Sequence, residues 1–437
     1  MKSDTIVAIS TPRGVGGIAV ARLSGHEALA IAEKHLSPLT AHLSPRRATY
    51  CRFANLDDVV AVYFPKGYTG EPTVEISCHG SFYVQQALLQ ALVDGGARLA
   101  EPGEFTQRAF LNGRLDLSQA EAVADLIDSV TPAQHRLAVS QLRGGYAQTL
   151  RELRKQLLDL TSLLELELDF SQEDVEFADR SQLQKTISSL HFQLSTLLSS
   201  FSLGNALKRG VPVAIVGKPN AGKSSLLNAL LGDDRAIVSD IPGTTRDTIE
   251  ETLTLDGITF RFIDTAGLRF SDDQVETLGV ERSRKAVAQA EIVLYLHDAT
   301  TPWTEPDLDL SGKATLVVHT KADLLNTPGG VGEGVLISTW TGFGLESLKQ
   351  AILNTFHARM GDDDTHDILL SNARHYEALK HVRQALDAVS QGLADGIPAD
   401  LVAVDLRDAL YHLGTITGEV TSDELLGNIF GRFCVGK

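Results

Sequence analysis

A glycine-rich loop near the middle of the chain has the residue types that hold a nucleotide's phosphates. Residues 217–224 read Gly-Lys-Pro-Asn-Ala-Gly-Lys-Ser, the complete spacing of a P-loop. The glycines allow backbone N–H groups to close around phosphate oxygens, the lysine adds positive charge, and the serine hydroxyl can hold Mg²⁺. Residues 211–216 predict a strand and residues 224–231 a helix, so an anion would lie at a positive helix end. The loop predicts a nucleotide site; the alternative is an ordinary strand-to-helix turn.

Downstream segments have the composition of loops that respond to a terminal phosphate. Residues 264–267 read Asp-Thr-Ala-Gly, in which the aspartate can hold Mg²⁺ through water and the glycine N–H can contact the phosphate. Residues 243–247, Gly-Thr-Thr-Arg-Asp, can add a second hydroxyl to the Mg²⁺. Loops ordered by that phosphate form a switch. Between them, residues 249–255 and 258–263 alternate apolar and polar around Asp256-Gly257, which predicts a hairpin with a type I′ turn.

The choice of base is indicated by residues 320–323, Thr-Lys-Ala-Asp, which follow the predicted strand 314–319. An ionised Asp323 only accepts hydrogen bonds, which suits the two donors on a guanine edge that adenine lacks. The usual GTPase motif begins with asparagine, so we expect Thr320 to weaken its tether without removing it. Ser338-Thr339 resembles the fifth GTPase loop. Either segment alone is a polar turn, but in this order they favour GTP.

The predicted GTP contacts are spread over these loops. They are Asn220, Ala221, Gly222, Lys223, Ser224, Ser225, Ser239, Asp240, Ile241, Pro242, Gly243, Thr244, Thr245, Asp264, Thr265, Ala266, Gly267, Thr320, Lys321, Ala322, Asp323, Ser338, Thr339 and Trp340. Leu268 stands where Ras-type enzymes place a water-orienting glutamine, so the water must be oriented elsewhere. Glu276 is a candidate, directly or through a bridging water, although by spacing alone it is a solvated loop acid. Asn220 could ligate a monovalent cation against the phosphates, although by itself it is an ordinary loop asparagine.

Composition limits the protein classes. A chain of 437 residues with 43% hydrophobic and 22% charged residues predicts a globular protein of roughly two to four domains. We expect no membrane span, since no apolar run reaches about eighteen residues. Three cysteines, none in a CxxC pair, predict neither a disulfide framework nor a zinc site, and the start of the chain shows no signal-peptide core, so a cytoplasmic location follows. A net charge of −17 repels RNA at long range, so RNA contact must be local or carried by a partner.

The pattern of elements changes along the chain. Residues 1–118 mix predicted strands (5–9, 18–23, 59–64, 73–77) with a helix at 81–94. Residues 119–210 read as long amphipathic helices, with Leu157, Leu160, Leu164 and Leu168 on one face. Residues 211–370 alternate strand and helix, which is typical of a parallel sheet, and 371–437 return to helix. We predict a multidomain α/β plus all-α protein, in which a Ras-like P-loop domain is inserted into a helical bundle that follows an N-terminal α+β domain.

Stretches 4–8, 17–25, 102–114, 115–122, the GTPase loops, 417–427 and 433–437 together have the pattern of one known family. From end to end the sequence resembles the tRNA modification GTPase MnmE (TrmE) family. The terminal Cys-Val-Gly-Lys together with Gly-Glu-Phe at 103–105 is the specific part, because GTPase loops alone fit many relatives.

The resemblance implies an N-terminal tetrahydrofolate-binding domain that forms a homodimer, a helical domain and a G domain. It also implies a heterotetramer with the FAD-containing protein MnmG. Together they would add an aminomethyl-type group to carbon 5 of the wobble uridine in certain tRNAs, with the bridging carbon from a reduced folate. Contact with tRNA mostly through the partner suits the acidic charge of this chain.

Roles for single residues follow from the same resemblance. K⁺ would be held by the side chains of Asn220 and Thr244 and the carbonyls of Ser239 and Ile241, and Mg²⁺ by Ser224 and Thr245. Glu276 would orient the hydrolytic water through a second water. The folate would be bound by Arg22, Glu75, Arg114 and Lys437. The family often has lysine where Arg114 stands, and Thr320 departs from asparagine.

Other functions stay open at this point. A regulatory GTPase switch in ribosome or RNA assembly fits the GTPase loops, but no KH-type RNA module is visible in the sequence. A stand-alone folate-dependent carbon-transfer enzyme could use Cys434 as a nucleophile, although a structural or spare thiol is the simpler interpretation.

Overall fold

The computed structural model describes residues 4–12, 14–38, 42–169, 180–232, 251–263, 276–325, 332–360 and 368–436. Contacts divide the chain into two compact units. The first consists of Met1–Asp128, Ala138–His191 and Ala378–Lys437, and the second of Ser129–Leu137 and Phe192–Glu377. This division does not test the predicted domain bounds, which stay predictions.

The strands and helices have the following bounds. The strands are β1 (Ile6–Ile9), β2 (Gly16–Ser24), β3 (Leu36–Ser37), β4 (Thr49–Phe53), β5 (Asp57–Phe64), β6 (Thr73–Gly80), β7 (Arg98–Leu99), β8 (Val211–Gly217), β9 (Glu251–Leu255), β10 (Ile258–Phe262), β11 (Ile292–Asp298), β12 (Ala314–Thr320) and β13 (Val335–Leu336). The helices are α1 (Ala28–Glu33), α2 (Phe82–Asp94), α3 (Glu104–Leu111), α4 (Leu117–Asp128), α5 (Pro132–Leu142), α6 (Gly145–Asp169), α7 (Arg180–Ser199), α8 (Phe201–Arg209), α9 (Lys223–Gly232), α10 (Glu276–Gln289), α11 (Leu345–Met360), α12 (Ala373–Ala394), α13 (Ala399–Thr417) and α14 (Asp423–Phe430).

The N-terminal sheet has the strand order β3-β4-β5-β6-β2-β1-β7 in the described residues. Its neighbours are antiparallel except for the parallel pair β1 and β7. Val7, Leu23, Ile76 and Leu88 are fully buried and pack in one core between this sheet and the helices on it. The predicted strands and the helix at 81–94 are confirmed, and Ser81 caps that helix by accepting a 3.1 Å hydrogen bond from the Val84 N–H.

A helical part completes the first unit. Leu157, Leu160 and Leu164 on α6 are each 1% exposed, as their spacing predicts, whereas the side chain of Leu168 lies outside the described residues. Helix α6 packs against α13. Arg154 on α6 forms an ion pair with Glu419, just beyond α13. In the described part of the chain, no helix combines the length and the apolar character that a membrane crossing needs.

The second unit contains a sheet with the order β13-β12-β11-β8-β10-β9 in the described residues. The strands from β13 to β10 are parallel neighbours, and β9 pairs antiparallel with β10. The apolar strands β8 and β11 lie at its centre, as expected for a sheet covered on both faces. Asp256 and Gly257 have φ angles of 48° and 78°, the positive values that the predicted type I′ turn requires. The predicted hairpin is therefore confirmed from Glu251 onward.

Candidate functional site

The P-loop connects the end of β8 to the start of α9, where backbone N–H groups of a helix are unpaired and attract anions. Gly217 has a φ of 151°, and a Cβ there would lie 2.4 Å from the Leu296 carbonyl oxygen of the neighbouring strand, so no side chain fits. Gly222 has a φ of 87°, and Asn220 adopts the left-handed value of 63° that asparagine tolerates better than most residues. The sequence therefore makes a tight loop whose backbone conformation depends on its glycines and on Asn220.

Lys223 crosses back over its own loop. Its Nζ donates hydrogen bonds of 2.9 Å to the carbonyl oxygens of both Gly217 and Lys218. Burial lowers the pKa of the Lys223 ammonium, because water that would solvate the charge is removed. A nearby anion would offset that cost. Ser224 and Ser225 follow in the exposed first turn of α9.

Residues 320–323, here called the Thr320 loop, are attached to the P-loop. The Thr320 hydroxyl donates a 2.9 Å hydrogen bond to the Ala221 carbonyl and lies 3.3 Å from the His297 carbonyl. Thr320 is 2% exposed. The expected tether between these segments is therefore present with threonine in place of asparagine.

Lys321 is held by an ion pair at the end of β11. It adopts a left-handed φ of 62°, and its Nζ lies 2.6 Å from Asp298 Oδ2. Burial raises the pKa of Asp298, but hydrogen bonds from Lys321 and Thr300 outweigh burial and hold that pKa below its usual value. Asp298 was not found by sequence reasoning; the available signal was a carboxylate at the carboxyl end of an apolar strand.

Residues 338–342, here called the Ser338 turn, support Asp323. The Ser338 hydroxyl donates a 2.5 Å hydrogen bond to Asp323 Oδ1 and accepts one of 3.2 Å from the Thr341 N–H. The Ala322 N–H donates to the Ile337 carbonyl at 3.0 Å, which joins the two segments a second time. Ser338 is fully buried and Asp323 is exposed, so the carboxylate is braced from inside and open to a ligand outside.

A second group of predicted residues lies on the N-terminal sheet. Arg22 on β2 and Glu75 on β6 are opposite each other in register, and Arg22 Nε donates to Glu75 Oε1 at 2.9 Å. The Arg22 guanidinium lies 5.6 Å from the Tyr68 ring centre and 5.7 Å from that of Phe105, within cation–π range. Arg22, Glu75, Tyr68 and Phe105 are called the Arg22 cluster below.

Arg114 approaches the segment that carries Tyr68. Gly70 has a φ of 84°, and a Cβ on it would lie 3.0 Å from Arg114 Cγ, so this approach needs glycine. Burial raises the pKa of Tyr68, more than the hydrogen bond with Thr106 and the charge of Arg22 lower it. Val435 bridges to Pro102, and a Cβ on Gly436 would lie 2.3 Å from the carbonyl oxygen of Ile9, which is on β1 of the same sheet.

Comparisons with known proteins decide the family. Residues 117–434 match the model of the MnmE helical domain, and residues 5–114 match that of the GTP-binding protein TrmE N-terminus. The chain belongs to the MnmE family. The tRNA modification GTPase MnmE of Parabacteroides distasonis is 47% identical over 99% of this chain and 100% of its own length. That of Cytophaga hutchinsonii is 48% identical over 100% of this chain and 98% of its own length.

Membership of the MnmE family confirms the resemblance and the predicted fold class, with an N-terminal α+β domain, a helical domain and a P-loop α/β domain. Among solved structures, the G domain of the FeoB iron transporter of T. maritima matches 33% of this chain and 98% of its own at 27% identity. Its TM-score is 0.22.

Some of the predicted site residues lie outside the described residues. They are Ser239, Asp240, Ile241, Pro242, Gly243, Thr244, Thr245, Asp264, Thr265, Ala266, Gly267 and Lys437. Glu276 is the first residue of α10, but its side chain is not among those described. Of the predicted cation ligands, Asn220 and Ser224 are described, and both are exposed at the P-loop. The assigned roles of all these residues stay predictions.

Proposed function

We propose that this chain is a GTP hydrolase that acts in tRNA modification. The observation that carries the proposal is 47% identity along nearly the whole chain to a relative named a tRNA modification GTPase. The joined P-loop, Thr320 loop and Ser338 turn support the nucleotide part, because they collect phosphate-binding and base-binding groups at one edge of one sheet.

Phosphate binding follows from the state of Lys223. Its ammonium is half-buried and satisfied by carbonyls of its own loop, so it is desolvated before any ligand arrives. A phosphate oxygen would give the ammonium an opposite charge and would meet the N–H groups at the start of α9. The lysine is thus oriented in advance, and binding needs little rearrangement.

Guanine selection would come from Asp323. Its Oδ1 is fixed by Ser338, and the exposed carboxylate accepts hydrogen bonds only. The N1–H and amino group of guanine supply two donors on one edge, whereas adenine would leave the carboxylate poorly paired. A base that covers the carboxylate would displace its water, and only guanine would replace that water with two hydrogen bonds, so the site would discriminate against adenine.

Mg²⁺ and K⁺, when bound, would supply positive charge against the charge that develops on the phosphates during hydrolysis. Ser224, in the first turn of α9, and Asn220, in the loop, have exposed side-chain oxygens that can act as ligands for these cations. Thr245 would complete the Mg²⁺ site, and Thr244 with the carbonyls of Ser239 and Ile241 the K⁺ site. Glu276 would orient the attacking water.

The cation proposal is tested by measuring GTP turnover in KCl and NaCl at matched ionic strength. We expect faster turnover in KCl, and we expect Asn220→Ala to remove the difference. Asn228→Ala is the matched control, because Asn228 is exposed one turn into α9. Equal rates in both salts for the unaltered protein would reject K⁺ activation. Unchanged turnover in Glu276→Ala would reject the role of Glu276.

The Arg22 cluster supports the second half of the proposal, in which the N-terminal domain binds a tetrahydrofolate derivative and forms a homodimer. A guanidinium fixed by Glu75 beside the half-buried Tyr68 ring offers charge and flat surface to a pterin-like ring, while the fully buried Phe105 ring only helps to hold the guanidinium in place. Arg114 and Lys437 would complete the site. An FAD-containing MnmG-type partner would join in a heterotetramer and contribute most of the tRNA contact.

Nucleoside analysis of tRNA tests the function as a whole. Cells lacking this protein should lose the aminomethyl-type group at carbon 5 of wobble uridine, and the unaltered gene should restore it. Lys223→Ala and Arg22→Ala should each fail to restore it, although they alter different domains. Normal wobble nucleosides in the deletion strain would reject the proposed function.

A further inference from the structure

The Ser338 turn carries a large aromatic side chain that the described fold does not use. Trp340 is 88% exposed, the highest exposed fraction among the large hydrophobic residues of the described part of the chain. Leaving an indole in water gives up the free energy that its burial would supply. The turn itself is well defined, because the Gly342 N–H donates to the Ser338 carbonyl at 3.0 Å and the Ser338 N–H to the Phe343 carbonyl at 2.9 Å.

The position of this turn relates Trp340 to the proposed base. Ser338 is hydrogen-bonded to Asp323, and Trp340 follows Ser338 by two residues. Two residues of extended chain span at most about 7 Å, so the backbone that carries the indole lies close enough to Ser338 for the indole to contact a base bound at the Asp323 carboxylate. A guanine held at its edge by Asp323 would have its flat faces beside this turn.

We propose that the Trp340 indole stacks on the face of the guanine that Asp323 binds by its edge. This inference rests on the proposed guanine-nucleotide binding and gives the predicted contact of Trp340 a specific form, stacking on the face of the base, that determines affinity. The carboxylate selects the base through its donors, whereas the indole holds any purine through dispersion and stacking. The two contributions are separable because one acts on the edge of the ring and the other on its face.

Thr320 in the neighbouring loop gives a reason why the site would need base stacking by Trp340. Thr320 tethers the P-loop through a single hydroxyl, where the usual asparagine offers an amide with donors and an acceptor. Lys321 has its charge tied to Asp298, so its ammonium is engaged beside the base site. An aromatic contact from the Ser338 turn would compensate for the smaller tether by fixing the base from another side.

The chain's two tryptophans make the proposal measurable by fluorescence. Trp303 is 48% exposed and packs edge-on against His297 at 5.1 Å and Tyr295 at 5.9 Å. In Trp303→Phe the emission comes from Trp340 alone, and GDP should quench it in a saturable way. In Trp340→Phe the emission comes from Trp303 alone, and the same quench should be absent.

Calorimetry with GDP and inosine diphosphate gives the affinity. Trp340→Ala should bind both nucleotides about tenfold more weakly, because loss of base stacking is not sensitive to the 2-amino group. Trp340→Phe keeps an aromatic face and should stay within about threefold of the unaltered protein. The thermal midpoint of each variant without nucleotide should equal that of the unaltered protein, which excludes a folding defect.

Different results would reject the stacking of Trp340 and the proposed guanine-nucleotide binding. If GDP binds with unchanged affinity to Trp340→Ala and leaves the emission of Trp303→Phe unaltered, the stacking inference is wrong and guanine binding stands. A quench that follows protein concentration instead of GDP would assign Trp340 to contact with a second copy and would also overturn it. If the unaltered protein binds no GDP, the proposed function itself fails.

Discussion

The P-loop and the Arg22 cluster are both predicted ligand sites, but the chain builds them in opposite ways. The P-loop is one continuous run whose conformation is fixed locally, by the steric limit at Gly217 and the start of α9. The Arg22 cluster joins residues far apart in sequence through the pairing of β2 with β6 and the placement of α3. A site made by local conformation can be recognised from spacing, whereas a site made by register needs the fold.

The difference also separates what each site depends on. In the P-loop, backbone N–H groups are expected to make most of the phosphate contacts, and Lys223 is the side chain that adds charge. In the Arg22 cluster all the relevant groups are side chains, and a slip of one residue between β2 and β6 would put Arg22 and Glu75 on opposite faces. Single substitutions should therefore act on one site without altering the other.

Lys223→Ala should give the largest effect. It removes the only P-loop cation placed against the start of α9, and GTP turnover should fall at least about 100-fold, the scale of losing a charge-stabilising group. Stability without nucleotide should not fall, because burial already lowers the pKa of this lysine and its charge is poorly solvated. Single-turnover GTP hydrolysis and thermal unfolding measure the two effects.

The control is Lys218→Ala in the same loop. Lys218 is exposed and bonds to the Thr304 hydroxyl at 2.7 Å, so its loss should change turnover by less than about threefold. Equal losses in the two variants would mean that the loop responds to total charge and not to the position of Lys223. Reduced-folate binding should be unaltered in both variants, because neither substitution touches the Arg22 cluster.

Arg22→Ala tests the other side of the comparison. It removes the guanidinium between Glu75 and the rings, and reduced-folate affinity should fall about ten- to a hundredfold, the scale of hydrogen bonds to charged groups. GTP turnover by the isolated protein should stay the same. Isothermal calorimetry with tetrahydrofolate measures the first effect and a phosphate-release assay the second.

Arg52→Ala is the matched control on the same sheet. Arg52 lies on β4, its side chain is 72% exposed, and it pairs with Asp58 at 3.3 Å. Its removal should leave folate affinity unchanged. If both arginine variants bind folate normally, the Arg22 cluster is a structural ion pair and the assignment of the folate site is wrong.

Sequence patterns reached different depths in the two regions. Residue patterns along the sequence predicted β1, β2, β5 and β6 and the helix α2, because both kinds of pattern depend on neighbours in sequence. The P-loop and the hairpin turn were equally local. Sequence reasoning missed Asp298 because its partner Lys321 follows a different strand, β12. It missed Tyr68 and Phe105 because nothing in their own segments indicates a shared arginine. Arg22 and Glu75 were found only through the family resemblance.

Thr320→Val should have an intermediate effect and tests whether the P-loop site is entirely local. Valine keeps the shape but leaves the buried Ala221 carbonyl without its donor, which should cost about 1–3 kcal/mol in stability. GDP affinity should fall with it, because the P-loop loses its brace. Thr320→Ser retains the hydroxyl and should behave nearly as the unaltered protein. If valine and serine variants have the same unfolding free energy, the tether contributes nothing and the P-loop is self-supporting.

The smallest effect should come from pH, through His319 beside Thr320. Burial lowers the pKa of His319 below its ordinary 6.5, and the charge of nearby His297 lowers it further, with the Glu333 carbonyl acting in the opposite sense. The unfolded chain therefore binds a proton more readily than the folded chain, so stability is retained above pH 6.5 and falls as the pH drops below it.

His319→Asn should make the unfolding free energy fall less steeply between about pH 6.5 and about pH 5. The difference from the unaltered protein should be smaller than the loss of stability in Thr320→Val. Urea unfolding across this range measures the slope. His26→Asn, an exposed position in the N-terminal domain, should keep the slope of the unaltered protein. If the pH dependence of the unfolding free energy is unchanged in His319→Asn, groups other than His319 cause the acid sensitivity, and pH does not distinguish the P-loop region from the N-terminal domain.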